Sequence, residues 1–197
     1  MTLKAIPNVG WLGVLALFFL ISCGSEAELR PRKHGYPHME LPSSYTYQAF
    51  SSPSCPFTFK YPDFGEVTRD AADSCWVDIS FPALGCKWHI SQRDIQVTEK
   101  NPEVHFEEHR KLVYKHSKKA SQIRTAELTS PAGNGIYYEL YGEVGTPLQF
   151  FLSDSSNQQF IIGSVYLNTA LANDSLAPLI ALMKGEIQRS VASLRWE

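Results

Sequence analysis

Long hydrophobic runs are missing from this chain. The uncharged stretch over residues 9–21 has thirteen residues, short of the roughly twenty that a membrane-spanning helix needs but inside the range of about 7–15 of a signal-peptide apolar region. Positive charge is not in excess either. Eighteen Lys+Arg stand against 20 Asp+Glu, for a net charge of −2, so the basic footprint of a nucleic-acid partner is lacking. There is no internal repeat, no low-complexity tract, no Gly-rich phosphate loop, no Cys-x-x-Cys and no calcium loop. Cysteine is scarce, at four residues.

What the leader does contain is specific. Lys4 is its single charge, and the apolar run ends in Leu20-Ile21-Ser22-Cys23. A branched residue, two further positions of which the second is small, and then cysteine form the pattern that lipoprotein signal peptidases accept, because Cys23 must present a free thiol for acylation before cleavage exposes its amine. The alternative is an ordinary signal peptide with a chance cysteine. The lipoprotein reading makes 1–22 a signal peptide, Cys23 the lipid attachment site and 23–54 a tether. That tether holds Pro31, Pro37, Pro42 and Pro53 and has no periodic apolar pattern. Its rings, Tyr36, Tyr45, Tyr47 and Phe50, are more than a solvated linker carries, so part of it is expected along the domain surface. Residues 55–197 then form one domain.

Within that domain Phe57, Phe59 and Tyr61 alternate with polar residues and end at a Pro62-Asp63-Phe64-Gly65 turn. Residues 66–69 read as a short strand. Residues 75–81 and 86–90 read as a hairpin around Pro82 to Gly85, which sets Phe81 opposite Cys86. Asn101-Pro102-Glu103 has the logic of a helix start, with Asn as cap and Pro in the first turn. The basic residues Arg110, Lys111, Lys115, Lys118 and Lys119 complement the far end of that helix dipole, a simpler account of them and of His116 than an anion site. Strands are expected at 123–128, 136–143, Leu148–Asp154 and 160–167. The last two are apolar on both faces and so belong at the centre of a layered structure. A final helix from about Asp174, with Pro178 in its first turn, carries Leu176, Leu179, Ile180, Met183, Ile187 and Val191 as a stripe. The fold class expected is α+β: a mainly antiparallel central sheet of six or seven strands flanked by two long helices, an α/β sandwich-like arrangement.

With Cys23 committed to lipid, the hairpin register places Cys75 about 20 Å from Cys86, beyond disulfide reach. Cys55 with Cys75 is the favoured pair and Cys86 a buried free thiol, three free thiols being the alternative. His105-Phe106-Glu107-Glu108-His109 has the form of an inverted zinc-protease motif, with two histidines four apart on one helix face. No third ligand is evident, so His105 and His109 are weak metal candidates. Gly163-Ser164 lacks the second glycine of a nucleophile elbow. No catalytic residue and no cofactor are expected.

Cys55-Pro56-Phe57-x-Phe59-x-Tyr61, Cys75-Trp76-x-x-Ile79-x-Phe81-Pro82, Tyr137-Tyr138-Glu139, residues 149–155, Phe160-x-x-Gly163-Ser164-Val165-Tyr166 and Leu194-x-Trp196 resemble the gliding motility lipoprotein GldD family, as does Lys33-x-Gly35-Tyr36 in the tether. Both cysteines of the favoured disulfide fall on family positions, whereas Cys86, His105 and His109 do not. The resemblance implies a non-enzymatic cell-envelope lipoprotein serving bacterial gliding and type IX secretion. Its implied partners are a membrane, reached through lipid, and other envelope lipoproteins and proteins, with no nucleic acid. The outer membrane's periplasmic face is preferred to the inner membrane. Alternatives are a periplasmic carrier or sensor of a small apolar ligand and, behind it, a zinc hydrolase.

Overall fold

The computed structural model describes residues 39–71, 74–95, 102–115, 119–168 and 173–197, all within one compact unit, Gly35–Glu197. Cys23 and its preceding motif, Asn101, His116 and Lys118 lie outside the described residues.

Seven strands form one antiparallel sheet in the order β3-β4-β5-β9-β8-β7-β6. Strands β3 (Glu66–Ala71), β4 (Ser74–Phe81) and β5 (Cys86–Asp94) form a meander. The chain then passes through helix α1 (Pro102–Lys115) to the far edge. There β6 (Ala120–Ser130), β7 (Gly133–Gly142), β8 (Leu148–Asp154) and β9 (Gln159–Leu167) run back inward until β9 pairs with β5. After a 3-10 turn at Asn173–Leu176, helix α2 (Ala177–Ser193) follows. Two helices and a mainly antiparallel sheet are the α+β class that the periodicity indicates.

The β4–β5 turn shows how local chemistry sets the register. Pro82 opens a 3-10 turn whose cap, Gly85, takes φ 61°, a left-handed conformation that glycine adopts without a Cβ penalty. Phe81 then pairs with Cys86, as expected. Along β8 the first six residues are all buried, the sign of a strand covered on both faces. Beside it, Gly163 of β9 leaves room for the Phe150 ring, which a Cβ at that position would meet at 2.1 Å.

The sheet differs from expectation at one side. Phe57–Pro62, named β2, does not join β3. It pairs with β1 (Tyr47–Phe50) and with β10 (Arg195–Trp196) in a separate three-stranded sheet. Strand β1 falls inside the 23–54 stretch read as tether. The physical reason is that Phe57, Phe59 and Tyr61 point into the same core as α2 and the large sheet, so β2 leaves its two edges to be closed by the chain's other segments. Leu179, Met183, Ile187 and Val191 of α2 pack in that core against Trp88, Phe150 and Ile161. On the opposite face Phe106 of α1 meets Phe151 edge-on, with ring centroids 5.6 Å apart.

Candidate functional site

The stripe on α2 holds one residue that periodicity does not explain. Glu186 is fully buried, at 0% exposure. An isolated buried carboxylate is costly unless hydrogen-bonded, and its partners come from the N-terminal strap. Tyr45 and Tyr47, two apart and so on one side of an extended chain, donate their hydroxyls to Oε1 at 2.7 Å and Oε2 at 2.9 Å. Arg189, one turn along, closes the pair from the solvent side. Burial, and then the hydrogen bond and charge of Glu186, push the Tyr45 phenol up to about 12 and raise Tyr47 likewise. Nearby, Thr46 donates its N–H at 3.1 Å and its hydroxyl at 2.6 Å to Asp63 Oδ2, which holds that carboxyl below its usual range. The Tyr45 ring also stands edge-on to Phe64 at 4.9 Å. The N-terminal strap is therefore fixed by charge-assisted bonds, ring contacts and the β1–β2 ladder together.

The same small sheet is tied covalently. Cys55 and Cys75 form a disulfide with Cα atoms 4.8 Å apart, linking the entry of β2 to β4 of the large sheet. Cys86 is free and buried. Burial pushes its thiol up to about 12, so it packs as a small hydrophobe rather than serving as a nucleophile.

His105 and His109 do share the inner face of α1, as their spacing requires, but they meet rings there. His105 stacks on Phe160, with centroids 5.3 Å apart. His109, 3% exposed, sits 5.6 Å from Tyr138 and 5.7 Å from Phe151. Neither His109 nitrogen has a hydrogen-bond partner, and burial pushes its pKa down to about 4. Among the described residues no three His, Cys, Asp or Glu side chains gather closely enough to hold a metal ion. Both imidazoles thus lie against aromatic rings.

Tyr138 beside them is 1% exposed, and its hydroxyl has no hydrogen-bond partner. Desolvating an unpaired hydroxyl costs about 1–3 kcal/mol. Tyr138→Phe is therefore expected to stabilise the domain by about 1 kcal/mol, measured as a higher urea midpoint at unchanged slope. A lower midpoint would mean that the hydroxyl has a partner in solution.

Between α2 and β7–β8 lies a groove of about 290 Å³, walled by Leu148, Ala177, Ile180 and Ala181. The Lys184–Glu139 ion pair lies at its polar side, with Lys184 also over the Tyr137 ring. No described helix is long and apolar enough to cross a membrane.

A disulfide-closed α+β domain with a clasped N-terminal strand suits an oxidising compartment such as the cell envelope, where such bonds persist. Residues 26–196 match the family model of the gliding motility lipoprotein GldD, and the chain belongs to that family. It is thus a cell-envelope lipoprotein of the gliding motility class. No curated protein matches it.

Of these features, sequence reasoning reached the disulfide and the shared face of the histidines. It missed Glu186, whose signal was a lone carboxylate inside an otherwise apolar helical stripe.

Proposed function

We propose that the protein is a non-enzymatic assembly or structural subunit of the gliding motility and type IX secretion machinery. Lipid on Cys23 holds it at a membrane, the periplasmic face of the outer membrane being preferred, and the stretch between Cys23 and the Tyr45–Phe50 strap spaces the domain from the bilayer. The observation that carries this reading is the clasp of Tyr45 and Tyr47 on Glu186, because it fixes to the domain the N-terminal strap from which a lipid tether would run. Tethering raises the effective concentration of an envelope partner without any new contact.

The experiment is chromosomal replacement by Cys23→Ala alongside gene deletion, with gliding, secretion and membrane fractionation scored together. The expected result is loss of membrane attachment in Cys23→Ala and loss of gliding or secretion in the deletion. Normal gliding and normal secretion in the deletion would remove the assembly role. Mass analysis of the native N-terminal peptide without acyl chains would remove the anchor.

A second reading, a carrier or sensor of a small apolar ligand, is favoured by the groove under α2. Its chemistry suits an apolar body with a polar end near Lys184. Native mass spectrometry of protein released gently from cells decides it, through the presence or absence of a bound small molecule.

A further inference from the structure

Helix α2 packs unevenly along its length. Met183, Ile187 and Val191 fill the core, but the first two turns present Ala177 and Ala181, four apart and so on one face. Alanine methyls are too short to reach the sheet, and the space they leave is the groove of about 290 Å³ over β7 and β8. Ile180 on the helix, with Pro147 and Leu148 on the sheet side, lines it with hydrocarbon. The volume lies at the lower end of small-molecule sites, roughly 300–1,000 Å³. It suits one hydrocarbon chain rather than the two of a membrane phospholipid.

The mouth of this groove is charged, and its charges do not cancel. The β6–β7 register sets Arg124 opposite Glu139. Glu139 Oε1 accepts a hydrogen bond from Lys184, and Oε2 accepts one from the Tyr141 hydroxyl at 3.0 Å. Both carboxylate oxygens are thus engaged. Arg124 lies instead over the Tyr141 ring, its guanidinium carbon 4.9 Å from the centroid, and Tyr141 lines the groove. Among the described residues no carboxylate forms an ion pair with Arg124. Two cations therefore share one anion at the mouth, leaving one positive charge in excess. A guanidinium laid on a ring is held in place while its N–H edge stays open, and that edge matches a carboxylate through two parallel hydrogen bonds.

Hydrocarbon walls and an uncompensated guanidinium at the rim select an apolar chain that ends in an anion. We propose that the groove binds a single fatty carboxylate, its chain lying under α2 and its head hydrogen-bonded by Arg124. This ligand gives a chemical identity to the carrier reading, on which the assignment rests. Lys184 stays on Glu139 and neutralises it, so Arg124 is the residue that reads the charge of the head.

The test uses the full-length protein in phosphatidylcholine nanodiscs, titrated with decanoate, decanol and decyltrimethylammonium, with empty discs as the blank. The three probes share one chain length and differ in the charge of the head. Decanoate should bind in excess of the blank and roughly tenfold more tightly than either of the others. Arg124→Gln, at an exposed edge-strand position, should weaken decanoate roughly tenfold and leave decanol unchanged. Ala181→Trp, which fills the groove from an exposed helix position, should abolish decanoate binding at unchanged melting temperature. Decanol or decyltrimethylammonium binding as tightly as decanoate, or equal affinity for decanoate in Arg124→Gln and parent, overturns the proposal while the carrier reading stands. Undiminished binding by Ala181→Trp puts the probe outside the groove and overturns it too. Binding of no probe also overturns it, and native mass spectrometry then judges the carrier reading by itself.

Discussion

Replacing Cys55 and Cys75 together by alanine is expected to lower the stability of the domain by about 3 kcal/mol. The two residues are 20 apart in sequence, and on the chain-entropy account a loop of that size, left open, returns about this much freedom to the unfolded chain. For a domain of this length the matching fall in melting temperature is roughly 10 °C. The parent protein melted under strong reductant should show the same shift. A change under about 1 kcal/mol would mean that the small sheet holds its place without the bond. The consequence reaches past stability. Cys55 leads directly into β2, and β2 is the partner of both β1 and β10. Loosening it weakens the ground on which the Tyr45–Tyr47 strap rests, so the variant should also expose the strap to proteolysis before the large sheet.

The large sheet was legible because its strands carry their own signals. Alternation marks β4 and β5, continuous apolar runs mark β8 and β9, and the proline-to-glycine turn between β4 and β5 fixes Phe81 against Cys86 before any coordinates are known. The small sheet was not. Strand β1 is four residues lying between prolines and serines, and β10 is two residues, too short for any period to show. Both exist only because β2 offers them edges, and that information lies elsewhere in the chain.

The sites divide in the same way. Two histidines four apart on a helix announce a shared face, but not what that face meets. The sheet supplies Tyr138, Phe151 and Phe160 there, and rings convert a possible ligand pair into packing. Glu186 gave the opposite difficulty, since a carboxylate in an apolar stripe looks like an error in the pattern until Tyr45 and Tyr47 arrive from some 140 residues away. Arg124 and Glu139 face each other once β6 pairs with β7, yet nothing in linear order marks them as the mouth of a groove until α2 brings Lys184 across.

His109 gives a pH dependence of predictable sign. Burial among rings lowers its pKa from the ordinary 6.5 to about 4, so the folded protein keeps it neutral where the unfolded chain protonates it. Stability should therefore be full above about pH 6.5, fall as pH drops toward 4, and lose nothing more from this residue below that. Each unit inside the window is worth about 1.4 kcal/mol, for a total of about 3 kcal/mol. The carboxyls of Asp63, Asp78 and Asp154, held below their usual range, lose their contribution only at lower pH, which keeps the histidine window separate. Urea midpoints at pH 7.5, 5.5 and 4.5 for the parent and for His109→Phe measure the effect. The parent should weaken steadily across the series while the variant stays nearly flat, and a flat parent would show that His109 reaches water. The same series distinguishes packing from metal binding. A histidine held by a metal ion would make the parent's midpoint at pH 7.5 sensitive to a chelator, whereas one bedded against Tyr138 and Phe151 responds to protons alone.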